Sequence, residues 1–203
     1  MNPMEGKVVE MVLVVPTSKV IELLGSKTGI VEVEEQKIQQ LIQKEGLFIP
    51  RNQAEQDESF QQIIPYVVMK NNGQILLLLR TSKQGEKRLH DKYSLGVGGH
   101  INNLDDQKPW NAFLKGMKRE ITEEVDVEIH SIDYIGIIND TSTPVSRVHL
   151  GLLYIAEVNF KGIREKDMFM YWWKNLEELQ QYTKLMEGWS FLTYQELKRR
   201  MPN

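Results

Sequence analysis

A group of acidic residues in the middle of the chain is the feature best suited to chemistry. Residues 119–125, REITEEV, contain three glutamates. Each residue of an α-helix advances by about 100°, so Glu120, Glu123 and Glu124 would share one helix face. Carboxylate oxygens are ligands that Mg²⁺ and Mn²⁺ prefer. The spacing therefore indicates a candidate divalent-metal site.

A solvated charged face is the alternative interpretation, because most glutamate-rich helices are of that kind. Two effects oppose it. Like charges three or four positions apart repel by about 0.2–0.5 kcal/mol per pair. Carboxylates in the last turn also oppose the helix dipole, where Lys or Arg would stabilise the helix. Spacing alone favours the two interpretations about equally.

The carboxylates need a helix to hold them, and the pattern predicts one over residues 110–125. It follows the predicted strand 93–101, which contains Gly98-Gly99, and a polar segment that ends at Pro109, a residue suited to a first helical turn. An apolar stripe is predicted to lie beside the carboxylates and to face the core, formed by Trp110, Phe113, Leu114, Met117, Ile121 and Val125.

Most other segments of the main domain read as strands. Asn72-Gly73 separates two apolar runs and predicts a hairpin. Asn175 with Glu178 predicts a short helix, and a capping box over 193–196 predicts the start of the last one. No regular βαβ alternation is present, which favours an α+β fold with a mixed sheet. The predicted strands are 63–70, 74–80, 93–101, 127–138, 147–158 and 168–173.

The first part of the chain has its own elements. A strand over 7–15 ends at Pro16, and a helix over 33–45 precedes Gly46. The polar stretch 51–62 is interpreted as a seam. We therefore predict an N-terminal α/β extension, residues 1–61, packed on the core or at a dimer interface, and a main domain, residues 62–203.

Composition excludes several classes of protein. The 203 residues include 41% hydrophobic and 26% charged residues, which is ordinary globular usage. The net charge of −3 gives no reason to expect nucleic-acid binding. No cysteine is present, so disulfides and thiolate ligands are excluded, and a cytoplasmic location is expected. The N-terminal apolar run is far shorter than the ~20 residues of a membrane span, so no membrane association is expected.

The segment Gly98-Gly99-His100, followed by REITEEVDV, resembles the signature of Nudix (MutT-like) hydrolases, and the resemblance covers residues 62–203. It is similar to the branch described only as predicted phosphoesterases. The resemblance implies a Nudix-type α/β/α sandwich with a mixed β-sheet.

The signature is altered in three places. Asn111 occupies the position of a spaced glutamate, the segment between the glycines and Arg119 is about six residues longer, and Asp126 replaces a glycine. In the family that glutamate supports the arginine. We therefore expect Asp105 or Asp106 to pair with Arg119.

The resemblance also implies a mechanism. Glu120, Glu123, Glu124 and the Gly99 carbonyl would bind Mg²⁺, with Mn²⁺ as an alternative, while Gly98, Gly99 and Arg119 would shape the loop. A water activated by the ion would attack one phosphorus of a diphosphate. A glutamate would accept the proton. Besides the metal ligands Glu123 and Glu124, the candidates for this base are Glu165, in the predicted loop 159–167, and Glu187, which is the second choice. The alternative for Glu165 and Glu187 is an exposed loop acid without a catalytic role, which is favoured for both and more clearly for Glu187.

The resemblance implies a nucleotide-like substrate, a nucleoside diphosphate linked to another group. Arg80 and Arg88 are candidates for phosphate contacts, although ordinary surface charges are an equal alternative. His100 and His149 are interpreted as structural. Trp172, Trp173 and Trp189 are expected in the core rather than stacked on a base.

Two rival functions follow from the same fold. A Nudix-fold isomerase acting on an isoprenyl diphosphate is disfavoured, because that chemistry relies on a cysteine. A non-catalytic nucleotide-binding or regulatory module is disfavoured because all three acidic ligands are retained. A homodimer is a further expectation.

Overall fold

The computed structural model describes residues 9–80, 92–164 and 168–200. The strands are β1 (Met11–Pro16), β2 (Gly29–Val31), β3 (Leu47–Pro50), β4 (Phe60–Asn71), β5 (Gln74–Arg80), β6 (Tyr93–Ser94), β7 (Gly96–Val97), β8 (Val125–Asn139), β9 (His149–Ile163) and β10 (Phe169–Lys174). They form one mixed sheet with the strand order β10-β5-β4-β9-β8-β2, to which the shorter strands β1, β3, β6 and β7 are added.

Helices cover both faces of this sheet. The helices are α1 (Thr17–Leu24), α2 (Glu35–Glu45), α3 (Arg51–Ala54), α4 (Pro109–Glu124), α5 (Pro144–Arg147), α6 (Leu176–Leu179) and α7 (Gly188–Arg200), and a 3₁₀ helix spans Gln180–Leu185. One core cluster lies under α4 and includes Phe113 and Ile121. A second lies under α7 and includes Tyr194 and Leu197. The prediction of an α+β fold, an α/β/α sandwich around a mixed sheet, is confirmed.

Local sequence explains several elements. Asn72 and Gly73 have φ angles of 50° and 78°, as the tight turn between β4 and β5 requires. Strands β4 and β9 pair in parallel. Strand β4 and the first half of β9 are buried on both faces, which explains their nearly continuous apolar sequence. Helix α4 buries the predicted apolar stripe except for Leu114, whose side chain is exposed.

The N-terminal residues share the sheet of the main domain. Strand β1 is antiparallel to β4, and β2 is antiparallel to β8. Strand β4 begins at Phe60, so the proposed boundary after residue 61 lies inside a strand. Gln61 and Gln62, predicted to be in a polar seam, are buried there. The division into two domains stays a prediction.

Three local predictions are wrong. The predicted strand 93–101 is two short strands, and it ends at Val97. Strand β9 continues to Ile163, so residues 159–163 of the predicted loop 159–167 lie in a strand. The predicted capping box over 193–196 lies inside α7, with Thr193 and Glu196 buried.

An ion cluster closes the last turn of α7. The Glu196 carboxylate accepts hydrogen bonds from Arg199 (2.8 Å) and Arg200 (2.6 Å), and both arginines also contact Glu32. The hydrogen bond from Arg199 lowers the pKa of Glu196, outweighing the effect of burial. Among the described helices none has the length and apolar character needed to cross a membrane.

Candidate active site

The three glutamates of α4 differ in their surroundings. Glu120 has a side chain that is only 14% exposed, whereas the Glu123 side chain is 54% exposed. One carboxylate oxygen of Glu124, Oε2, is buried. Burial raises the pKa of Glu120, although the neighbouring Arg119 guanidinium opposes this shift. The carboxylates of α4 therefore range from largely buried, at Glu120, to exposed, at Glu123.

Gly99 and Glu120 fit closely together. A Cβ placed on Gly99 would lie 2.2 Å from Glu120 Oε2, so a side chain at this position would displace the carboxylate. Gly98 makes a different close approach, because its Cβ would lie 1.8 Å from the carbonyl oxygen of Pro65. The two glycines therefore let a backbone segment pass between strand β4 and a carboxylate of α4.

Arg119 is held by the loop that precedes α4. Its Nε donates to Asp105 Oδ1 (2.7 Å) and its Nη2 donates to Asp105 Oδ2 (3.0 Å) and to the His100 carbonyl (2.9 Å). These contacts raise the pKa of Arg119 further above its usual range. The expected replacement of the missing glutamate is confirmed for Asp105. Asp106 instead pairs with Lys115 at 2.6 Å.

The donor set suits a divalent cation. The sequence predicts four sources of oxygen atoms for an ion, and carboxylate and carbonyl oxygens are the type that Mg²⁺ or Mn²⁺ prefers. They are Glu120, Glu123, Glu124 and the Gly99 carbonyl. Within residues 9–80, 92–164 and 168–200, however, no group of three or more acidic or histidine side chains is already gathered to hold an ion. Arg119 Nη1 contacts Glu120 at 2.7 Å and Glu123 at 3.3 Å. These two carboxylates would have to turn away from the guanidinium to bind an ion.

A cleft of about 570 Å³ opens on the α7 side of the sheet, beside the two glycines. This volume is within the range of small-molecule sites. Arg80 and Lys92 line it from β5 and the segment before β6, on one side of β4. Asp140 and Ser142 line it from the loop after β8, on the other side. The cleft therefore has cationic groups at one end and hydrogen-bond acceptors at the other.

The predicted phosphate-binding residues have different outcomes. Arg80 lines the cleft, with its guanidinium carbon 5.2 Å from the centre of the Phe169 ring. Arg88 and the predicted base Glu165 lie outside the described residues. Lys92 was missed, because a lysine next to a charged loop carries no distinguishing sequence signal.

Glu187 lines the cleft but has a structural task. Its carboxylate accepts hydrogen bonds from Tyr66 Oη (2.6 Å), from the Trp189 and Ser190 amides (3.0 and 2.9 Å), and from Ser190 Oγ. It thus caps the start of α7 and joins this helix to β4. A carboxylate that already accepts four hydrogen bonds is poorly placed to take a proton from water.

The fold gathers residues that sequence reasoning treated separately. His100 and His149 both line the cleft, with ring centroids 5.7 Å apart. His149 Nδ1 lies 2.7 Å from the Val145 carbonyl, so this nitrogen carries a proton that it donates. Trp189 also lines the cleft and packs edge-on against Tyr66. Trp172 and Trp173 pack on the two core clusters, as expected.

Comparison with known proteins places the chain among relatives of similar length. It is 33% identical over 198 residues to Protein YmaB of Bacillus subtilis (strain 168), covering 91% of this chain and 96% of that protein. The crystal structure of Tm1382, assigned to the Nudix hydrolases, is 38% identical with a TM-score of 0.87, covering 95% of this chain and all of Tm1382. No family model matches the chain.

More distant structures share the fold alone. The NUDIX domain of Shewanella oneidensis NrtR, solved in complex with ADP ribose, is 14% identical with a TM-score of 0.52. The match covers 69% of this chain and 88% of that one. This similarity agrees with the fold described above.

Proposed function

Since the chain belongs to the Nudix hydrolases, which act on phosphorus-containing anhydrides, we propose that it cleaves a diphosphate linkage in a Mg²⁺-dependent reaction. The substrate class we propose is a nucleoside diphosphate linked to another group. The observation that carries the proposal is the position of Gly99, which lines the cleft and also contacts the Glu120 carboxylate. A diphosphate in the cleft would therefore lie beside Gly99, the residue that adjoins the Glu120 carboxylate.

The residues of the chain have separate tasks in this proposal. Glu120, Glu123, Glu124 and the Gly99 carbonyl would hold Mg²⁺, with Mn²⁺ as an alternative. The ion, when bound, neutralises charge on the diphosphate and makes a bound water more acidic. Arg80, which lines the cationic end of the cleft, would contact phosphate oxygens.

The reaction joins a water oxygen to one phosphorus and breaks the bond from that phosphorus to the bridging oxygen. The bridging oxygen leaves on the second phosphate, and the water proton passes to a carboxylate. Glu123 and Glu124 are the described candidates for this acceptor, and Glu165 is the candidate in the segment 165–167. Glu187 is a weaker candidate, because its oxygens already hold helix α7 to β4.

The test is a hydrolysis screen with and without Mg²⁺. Its substrates are ADP-ribose and other nucleotide sugars, dinucleoside polyphosphates, NADH and nucleoside triphosphates. We expect Mg²⁺-dependent release of two phosphate-terminated products from at least one diphosphate-linked substrate. Release from none of them would contradict the proposal.

A non-catalytic nucleotide-binding module is the second candidate. It is favoured because Arg119 contacts the carboxylates of Glu120 and Glu123, and these contacts compete with the binding of a metal ion. Calorimetric binding of ADP-ribose without turnover at any Mg²⁺ or Mn²⁺ concentration would support it. A homodimer stays a prediction, and light scattering at several protein concentrations measures it.

A further inference from the structure

The loop before α4 supplies the acidic partner of Arg119. Asn111, at the position of that glutamate in the resemblance, is exposed on α4. Asp105 comes from the loop instead, and its side chain is only 5% exposed. The acidic partner of Arg119 therefore comes from the loop before α4 and not from position 111 on the helix.

The Asp105 carboxylate is fixed from two directions. It binds Arg119 in a bidentate manner, and its Oδ2 also accepts a hydrogen bond from the Asn102 amide at 3.0 Å. The Asp105 amide in turn donates to the Asn102 carbonyl at 3.1 Å. These contacts close a tight turn, so the carboxylate has little freedom to leave the guanidinium.

A glycine in the middle of α4 makes room for this arrangement. A Cβ on Gly116 would lie 2.6 Å from Asp105 Oδ2 and 2.5 Å from Ile101 Cδ1. Glycine weakens a helix interior, so its presence there calls for a packing reason. The reason here is that the loop can approach the helix only where no side chain intervenes.

The N-terminal strand holds the same loop from its other side. The Leu13 amide of β1 donates to the Ile101 carbonyl at 2.7 Å, and Val12 forms a bridge with Asn102. Residues of the N-terminal segment are therefore in direct contact with the turn that contains Asp105. The loop is held between β1 and α4.

We propose that β1, the turn Ile101–Asp105 and Gly116 form a support that positions Arg119 and, through it, the carboxylates of Glu120 and Glu123. Asp105 is a positioning residue, and this inference rests on the proposed metal-dependent function of those carboxylates. In this arrangement Asp105 competes with the glutamates for the guanidinium and draws it toward the loop. Without Asp105, the guanidinium is free to settle on the glutamates and compete with a cation for them.

The test uses Mn²⁺ binding to the full chain, measured by electron paramagnetic resonance without substrate. We expect Asp105→Asn to raise the dissociation constant for Mn²⁺ by roughly 10–100-fold, the usual effect of losing an outer partner of a metal site. Gly116→Ala is expected to act in the same direction, because its Cβ displaces Asp105. Asp106→Asn is the matched control and should stay within about twofold of the parent, because Asp106 pairs with Lys115 and neighbouring backbone and not with Arg119.

Two further variants separate positioning from folding. Asp105→Glu keeps the charge but lengthens the side chain, so it should retain the fold and still weaken Mn²⁺ binding. Adding Asn111→Glu to Asp105→Asn should not restore binding, because position 111 points to solvent. Hydrogen exchange should accelerate at the Leu13 and Asn102 amides of Asp105→Asn but not at the amides that join β1 to β3.

The outcomes are distinct. Folded Asp105→Asn and Asp105→Glu proteins that bind Mn²⁺ as well as the parent would overturn the inference, and so would rescue by Asn111→Glu. Unchanged exchange at the Leu13 amide in Asp105→Asn would overturn the part assigned to β1. A parent protein that binds no Mn²⁺ and hydrolyses nothing would instead overturn the proposed function.

Discussion

Replacing Glu123 by glutamine separates the metal-binding interpretation from the solvated-face interpretation. The change removes an anionic ligand while keeping the size of the side chain. If the α4 carboxylates bind an activating ion, hydrolysis should fall by more than about 100-fold, since losing an outer partner alone typically costs about 10–100-fold. Glu124→Gln should behave in the same way.

The stability of the metal-free protein should not fall. Glu123→Gln relieves about 0.2–0.5 kcal/mol of repulsion with Glu120 and about 0.3–1 kcal/mol of unfavourable interaction with the helix dipole. It also removes the 3.3 Å contact with Arg119, an exposed pair worth about 0.3–0.5 kcal/mol. The variant should therefore be between zero and about 1 kcal/mol more stable than the parent.

Thermal unfolding with and without Mg²⁺ supplies the assay. An ion at 100 times its dissociation constant stabilises the folded state by about 2.7 kcal/mol, or roughly 5–10 °C for a chain of this length. A tenfold weaker site loses about 1.3 kcal/mol of that stabilisation, so the Mg²⁺ shift in either variant should be about 3–5 °C smaller.

A control and a contrary result complete the experiment. Glu128→Gln changes an exposed carboxylate of β8 outside the site, and it should leave both turnover and the Mg²⁺ shift unaltered. Full Mg²⁺-dependent turnover in Glu123→Gln and Glu124→Gln would refute their assignment as ligands. A parent protein without a Mg²⁺ shift would favour the solvated-face interpretation.

Four further predictions rest on single contacts. Gly98→Ala should lower the free energy of urea unfolding by about 3 kcal/mol, because the added Cβ would clash with the Pro65 backbone. Gly99→Ala should lower it less, because the added Cβ meets the Glu120 side chain, but it should abolish the increase in melting temperature caused by Mg²⁺. Glu187→Gln should lower the free energy of unfolding by about 1–2 kcal/mol but change kcat by less than about tenfold. A larger fall in kcat would support Glu187 as the catalytic base. The pKa of Glu196 is lowered in the folded protein, so the unfolded chain binds a proton at this carboxylate more readily. The stability that Glu196 contributes is present above pH ~4.5 and is lost as the pH falls further. Glu196→Gln should therefore make the free energy of urea unfolding less dependent on pH in this range. Limited proteolysis should leave residues 9–58 attached, and rapid loss of this segment from an unchanged remainder would contradict its packing.

Patterns that depend on neighbouring residues were predictable. The hairpin at Asn72-Gly73 follows from the left-handed backbone that these two residues tolerate. Helix α4 follows from the spacing of its apolar and acidic residues, and its observed bounds differ by one residue from the predicted ones. The expectation of a loop acid for Arg119 also held, because a charge at the edge of a core needs a partner.

Contacts between distant segments could not be predicted from the sequence. Asp105 and Asp106 are chemically equivalent neighbours in the sequence, but the turn directs one to Arg119 and the other to Lys115. The sequence favoured an exposed loop acid at Glu187, whereas α7 begins at the next residue and the Ser190 amide donates a hydrogen bond to the Glu187 carboxylate.

Three features follow from the amino-acid sequence alone: the type of fold, the helix that carries the carboxylates and the family signature. Each of them depends on local periodicity and spacing. The contacts between distant residues emerge only in the folded chain: His100 with His149, β1 with the turn at Asp105, and Gly99 with both the cleft and Glu120. The reason is that strand pairing and packing join segments whose separation along the chain carries no information about their distance in space.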